Sequence, residues 1–270
     1  MSEEYVLGND QEELSRLKLQ HDLWRDELLK LWDQSSLRDA KKILDLGCGP
    51  GYTSLDLLKY NRQQAQMTSI DISDNFINYL NYQLKEEKLD SRGQAKKSFI
   101  ENLNLEDTDF DAAFCRWLMI FVQNPEKAFQ QVYRHLTSGS EFILQEYVSY
   151  DSMDLVPDYP SMKPVVDAIF KSWKAQGGDP NRGKHLPSLL EKVGFKVTHL
   201  QPVAKFAQPQ DPFWQWPDSF YRSFLPRLQK SGYLNEQQVQ DFFADWQAAE
   251  KSPGSFFVAP TVINIIAKKL

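Results

Sequence analysis

Positive charge is in deficit in this chain: 31 Lys and Arg stand against 37 Asp and Glu in 270 residues, for a net charge of −6. That balance disfavours a nucleic-acid partner, because phosphate binding asks for a basic face. Cysteine is nearly absent. Cys48 and Cys115, the two present, cannot build a disulfide scaffold and read as reduced thiols of a cytoplasmic protein. Histidine numbers four, and no Cys or His spacing forms a metal set, so no metal is expected. No apolar run approaches the ~20 residues that cross a bilayer. The opening MSEEYVLGND is acidic and lacks the apolar stretch of a secretory signal. With 41% hydrophobic and 25% charged residues, the chain has the composition of a globular protein able to bury a sizeable core.

What is present has the rhythm of a parallel α/β protein. Leu14, Leu17, Trp24, Leu28, Leu31 and Trp32 recur near helical spacing and predict one or two amphipathic helices between Glu12 and Leu37. Strand-like Lys41–Cys48 then runs into the glycines Gly47, Gly49 and Gly51. Further strands are expected at Gln66–Ile72, Lys96–Asn102, Phe110–Trp117, Glu141–Val148, Lys196–Phe206 and Val262–Ala267. Helices are expected at Tyr52–Asn61, Asp74–Leu89, Pro125–Leu136 and Leu186–Val193, with Asn124 as an N-cap and Gly194 as a stop. Strands alternating with helices of this length argue for βαβ units around a mostly parallel sheet. Two stretches break the rhythm, 150–184 and 207–260. The second is crowded with rings, among them Trp214, Trp216, Phe220, Tyr221, Phe242 and Trp246. These rings can form the core of a small subdomain, line an apolar chamber, or do both.

The segment Asp45-Leu46-Gly47-Cys48-Gly49-Pro50-Gly51 joins a strand to a helix through glycines, which lets backbone approach a ligand closely. A dinucleotide loop would space its glycines G-x-G-x-x-G. Here Gly51 comes one residue early and Tyr52 stands where the last glycine belongs. Asp45 would repel a pyrophosphate and attract an ammonium group, which also weakens a nicotinamide-dinucleotide reading. The run resembles the first motif of the class I, Rossmann-like S-adenosylmethionine (SAM)-dependent methyltransferases. Further matches follow in order across about residues 41–144. Asp71 closes the second strand, where a carboxylate can accept bonds from both ribose hydroxyls. Asn102-Leu103 matches the position that contacts adenine, although neighbouring Glu101 could serve instead. Phe110–Trp117 is similar to the family's fourth strand. Arg134–Ser140 resembles a structural turn of the family, with Ser138 and Ser140 replacing its proline and glycine.

The resemblance implies a three-layer Rossmann-like sandwich with a seven-stranded, mostly parallel sheet whose last strand is antiparallel. The chain 1–270 then reads as one methyltransferase domain, with 1–40 as a helical cap and 150–184 and 207–260 as lid-like insertions. It implies SAM as cofactor, S-adenosylhomocysteine as product, and contacts from Asp45, Gly47, Cys48, Gly49, Gly51, Asp71, Ile72, Asn102, Leu103 and Arg116. Cys48 and Cys115 would lie on neighbouring strands, as small apolar fillers rather than a redox pair. No N-P-P-Y-like motif follows the fourth strand, where Cys115-Arg116-Trp117-Leu118 stands, so methylation of base amino groups is not expected. A small or medium organic acceptor is expected, of the kind used in quinone and secondary-metabolite biosynthesis. A SAM-binding module acting on, or recruited by, a protein partner is the alternative. Methyl transfer needs positioning first and a general base only if the nucleophile must lose a proton. His21, His135, His185, His199, Glu146 and Tyr147 are candidates, and the sequence singles out none.

Overall fold

The computed structural model describes residues 11–270, so the opening segment inspected for a leader lies outside the described residues. The strands are β1 (Lys42–Leu46), β2 (Gln66–Asp71), β3 (Gly93–Lys97), β4 (Phe110–Arg116), β5 (Leu136–Ser149), β6 (Asp154–Val156), β7 (Phe195–Val203), β8 (Phe206–Ala207), β9 (Phe256–Val258) and β10 (Thr261–Lys269). The helices are α1 (Gln11–Asp33), α2 (Tyr52–Tyr60), α3 (Asp74–Glu86), α4 (Pro125–His135), α5 (Met162–Ala175), α6 (Leu186–Val193), α7 (Gln215–Lys230) and α8 (Glu236–Lys251). A seven-stranded sheet in the order β3-β2-β1-β4-β5-β10-β7 forms the centre. β1 to β5 pair in parallel, and β10 runs antiparallel between β5 and β7. The order reverses beside β1, which opens a crevice at the carboxyl edge of β1 and β4.

Helices cover both faces. On one, Leu28, Leu31 and Trp32 of α1, Leu57 of α2 and Leu80 of α3 pack with Ile43 and Phe114 of the sheet. On the other, Phe129 and Val132 of α4 and Leu190 of α6 pack with Leu44 and Phe142. The helix starts follow local chemistry. The Ser73 hydroxyl accepts the Phe76 N–H at the head of α3. The Asn124 side chain accepts the Lys127 N–H at 2.9 Å ahead of Pro125, the capping read from the sequence. Gly194 ends α6 at φ 113°.

The third cluster is a cap built from α5, α7 and α8, joined by Leu23 and Trp24 of α1. Trp214 stacks on Trp246 at 4.4 Å, and Tyr221, Phe242 and Phe257 close around them. The cap also holds a small antiparallel sheet, β6-β9-β8. Strands of two or three residues are too short to show alternation, so they leave no signal in the sequence. The predicted third strand also moves. It runs over Gly93–Lys97 rather than Lys96–Asn102, in step with β2, whose last residue Asp71 pairs with Lys97, and the Asn81 side chain bonds both the N–H and the carbonyl of Ala95 at 2.9 and 3.0 Å. The chain then leaves the sheet and turns once at Ile100–Asn102.

Candidate functional site

A cavity of about 700 Å³ lies in the crevice at the carboxyl edge, within the range of small-ligand sites. Its floor is the loop after β1. Gly47, Gly49 and Gly51 all hold positive φ, at 68°, 53° and 82°, a region that penalises any side chain. They do different work. A Cβ on Gly47 would lie 2.9 Å from Leu118, and one on Gly51 would lie 2.2 Å from Leu80. A Cβ on Gly49 would meet only open space. Gly49 is the point of close approach, while Gly51 seats α2 against α3 and does not border the cavity. The expectation that Gly51 contacts the ligand is therefore replaced by a packing role.

Two carboxylates border this floor. Asp71 accepts the Gly49 N–H and the Ser73 N–H, both at 2.9 Å. Burial pushes its carboxyl above the usual range against the pull of those bonds. The Ile72 backbone also donates to it, and the carboxylate keeps a lone pair for a further donor. Asp45 is 2% exposed and accepts the Ser54 hydroxyl at 2.5 Å and the Ser69 hydroxyl at 3.4 Å. Burial pushes it up to about 6. Cys48 and Ile72 line the cavity as expected.

Asn102 and Leu103 do not. Because β3 ends early, Ser98, Phe99, Ile100 and Glu101 face the cavity, Asn102 is turned to solvent, and Leu103 packs in the core with Phe129. Glu101, the alternative weighed from the sequence, is the acid at that end. Burial drives both thiols well above their usual range, and Cys115 donates to Glu146 at 3.5 Å, so neither is a ready nucleophile. Among the described residues no group of three His, Cys, Asp or Glu could hold a metal ion.

α1 forms the near wall through Leu17, Gln20 and His21. His21 contacts Asp56 through Nε2 at 3.1 Å and the Thr53 hydroxyl through Nδ1 at 3.4 Å. Burial lowers its affinity for a proton despite Asp56. Asp56 is also held by Arg25 at 2.5 Å. Burial favours its neutral form, but the bonds from His21 and Arg25 win and pull it to about 2. Of the other candidate bases, His135 lies buried on α4 against the Gln131 carbonyl. Glu146 faces away from the cavity and accepts the Leu118 and Met119 N–H groups at 2.9 and 3.0 Å. Burial pushes it up to about 7.

That turn carries two residues that close the cavity. Arg116, expected from the sequence, borders it. Trp117, which the sequence did not single out, holds φ 51°, an outlier for a bulky residue. Its ring lies flat on Tyr147 at 5.5 Å and under the Arg116 guanidinium at 3.9 Å. Beyond it lies a second, smaller pocket of about 50 Å³ walled by Tyr147, Tyr150, Trp216, Phe220 and Tyr221. Gln20, Trp117 and Phe121 border both spaces. Gln20 is fixed there by the Trp216 indole N–H at 3.0 Å. The aromatic segment thus does both things weighed from the sequence: Trp214 and Trp246 build the cap core, and Trp216 and Phe220 face a pocket.

Comparison with known proteins gives consistent matches. Residues 37–194 match a family described as methyltransferase domain. A ubiquinone/menaquinone biosynthesis C-methyltransferase of Brucella anthropi is 23% identical over 191 residues, 71% of this chain and 66% of that protein. The match thus spans just under two thirds of that relative. The 24-methylenesterol C-methyltransferase 2 of Arabidopsis thaliana is 24% identical over 67% of this chain and 48% of its own. Among solved structures, geranyl diphosphate C-methyltransferase from Streptomyces coelicolor superposes with a TM-score of 0.58 at 14% identity, covering 93% of this chain and 80% of that one. The [4+2]-cyclase SpnF superposes with a TM-score of 0.55 at 19% identity, covering 88% and 79%. One fold thus serves different chemistries, and function has to be argued from the site.

Proposed function

This chain belongs to the methyltransferase domain family, and from that premise we propose that it transfers the methyl group of SAM to a small or medium organic molecule. One observation carries the reading: a single cavity runs from the glycine loop and its two carboxylates, Asp45 and Asp71, to the rim of an aromatic pocket under the cap. The donor set fits SAM. Asp71 suits a ribose hydroxyl, because its carboxylate borders the cavity at the carboxyl end of β2 with acceptor capacity to spare. Asp45 adds negative potential beneath a cationic ligand, and Gly49 leaves the space that a close-lying chain needs. Gly47, Cys48 and Ile72 complete the cofactor wall. When bound, SAM supplies a methyl group already activated on a sulfonium.

The residues of this chain then bind, orient and exclude water. Trp117 and Gln20 stand between the cofactor wall and the aromatic pocket, where they can orient an acceptor held in the larger cavity. Closure by α1 and the cap keeps water from the methyl group. The acidic balance of the chain supports a small-molecule substrate over nucleic acid. A cytoplasmic setting is part of the proposal, supported by two buried, free cysteines. No helix among the described residues is long and apolar enough to cross a membrane.

Calorimetric titration of the purified protein with SAM, and separately with NAD, tests the reading. Micromolar binding of SAM without response to NAD is expected, followed by methyl transfer in a screen of phenols, amines and quinone precursors. A chain that binds neither SAM nor S-adenosylhomocysteine is not this enzyme.

A further inference from the structure

The charges around the cavity are sorted along the sheet edge. Glu101 follows β3, Asp71 ends β2 and Asp45 lies in β1. Arg116 ends β4, one strand further on, in register with Gln145 of β5. Neighbouring strands stand about 4.8 Å apart, so the acids occupy one side of the cavity and the guanidinium the other, beside Trp117 and the aromatic pocket. Arg116 is also uncompensated. Its Nε and Nη2 are shut off from solvent and have no hydrogen-bond partner, and its contact is the face of Trp117. Its charge repels that of Lys205 and, together with burial, disfavours a proton on His21. A buried guanidinium without an anion is costly, and that cost is removed when a ligand brings the anion.

We propose that Arg116 is the recognition site for an acidic group on the methyl acceptor, making the acceptor a flat, ring-bearing organic acid that bears a carboxylate or a phenolate. This deepens the methyl-transfer reading and rests on it. The shared chemistry is an oxyanion paired with a fork of guanidinium N–H donors. Two sources can provide it, the acceptor or the amino-acid end of the cofactor. The position of Arg116 favours the acceptor. The guanidinium lies on the aromatic-pocket side of the acids that suit ribose and ammonium, and it packs on the very ring that separates the two spaces. A sulfonium brought near a bare guanidinium is repelled, and an anionic acceptor at the same junction removes that repulsion.

The test is binding of 2-naphthoate and its neutral counterpart 2-naphthamide, each measured with and without S-adenosylhomocysteine. The wild type is expected to prefer the acid by about tenfold or more. In Arg116→Met that preference falls to about twofold or less, while S-adenosylhomocysteine affinity stays within about threefold. Arg116→Lys keeps the charge without the fork and retains part of the preference. The Met variant should melt no lower than wild type, because it removes a buried unpaired charge; Arg116→Gln replaces it if it does. Equal binding of acid and amide by the wild type overturns the proposal, as does a preference that survives in Arg116→Met. A loss of S-adenosylhomocysteine affinity of about tenfold in that variant also overturns it, because the anion is then the cofactor's own carboxylate. A wild type that ignores S-adenosylhomocysteine refutes the cofactor reading instead, and the naphthoate preference measured without it still decides the anion site.

Discussion

Asp71 and Glu146 are both enclosed carboxyls with backbone N–H donors, and they do different things. Asp71 borders the cavity and holds Gly49, so it shapes the loop and faces the ligand at once. Asp71→Ala is expected to weaken SAM binding by about 1.5–3 kcal/mol, the worth of hydrogen bonds to a charged group; calorimetry on the folded variant measures it, and unchanged affinity removes Asp71 from the site. Glu146 instead props the turn that carries Arg116 and Trp117, through the N–H groups of Leu118 and Met119. Burial raises its folded pKa to about 7, so the folded state holds its proton over a pH range in which the unfolded chain releases it. Its contribution to stability is present at pH 4 and is lost as pH climbs through 7. That loss is about 3 kcal/mol. Denaturation of Glu146→Gln should show a fall in stability between pH 4 and pH 8 smaller than that of wild type by this amount. Identical pH profiles would mean that Glu146 is not the buried titrating group.

At the scale of elements, the loop between β1 and α2 separates binding from folding. Gly49 and Gly51 share a left-handed backbone, yet one faces the cavity and the other lies 2.2 Å, as a hypothetical Cβ, from the side chain of Leu80. Gly51→Val drives α2 off α3 and is expected to cost about 3 kcal/mol or more of unfolding free energy from overpacking and backbone strain together. Gly49→Val costs about 1–2 kcal/mol from backbone strain and abolishes SAM binding by filling the approach. Denaturant unfolding and ligand titration on both variants separate the two; equal effects on stability would contradict this division. The same loop shows how far a sequence carries. Three glycines after a strand announce a close approach, but which glycine meets the ligand depends on Leu80 and Leu118, which are distant in the chain.

For the molecule as a whole, the site is shared by parts that meet only on folding: α1, the glycine loop, the turn after β4, and the end of α5 near Gly177. A ligand that bridges them stabilises the native state by about 2.7 kcal/mol at a hundredfold excess over Kd. SAM should therefore raise the melting temperature by about 5 °C or more; no shift at saturating SAM would contradict a site built from these parts. The βα rhythm, the glycine loop and the place of Asp71 at the end of β2 were legible in the sequence, because each rests on local periodicity, backbone freedom or a motif of short span; the antiparallel run of the last strand came only from the family resemblance. Asn102 and Leu103 were misplaced because the end of β3 follows its partner β2, which stops at Asp71. The short strands of the cap, the strained Trp117 and the uncompensated state of Arg116 were hidden for the same reason. A strand's length, a side chain's neighbours and the balance of charge around a buried group are set by segments remote in sequence, and only the folded chain brings those segments together.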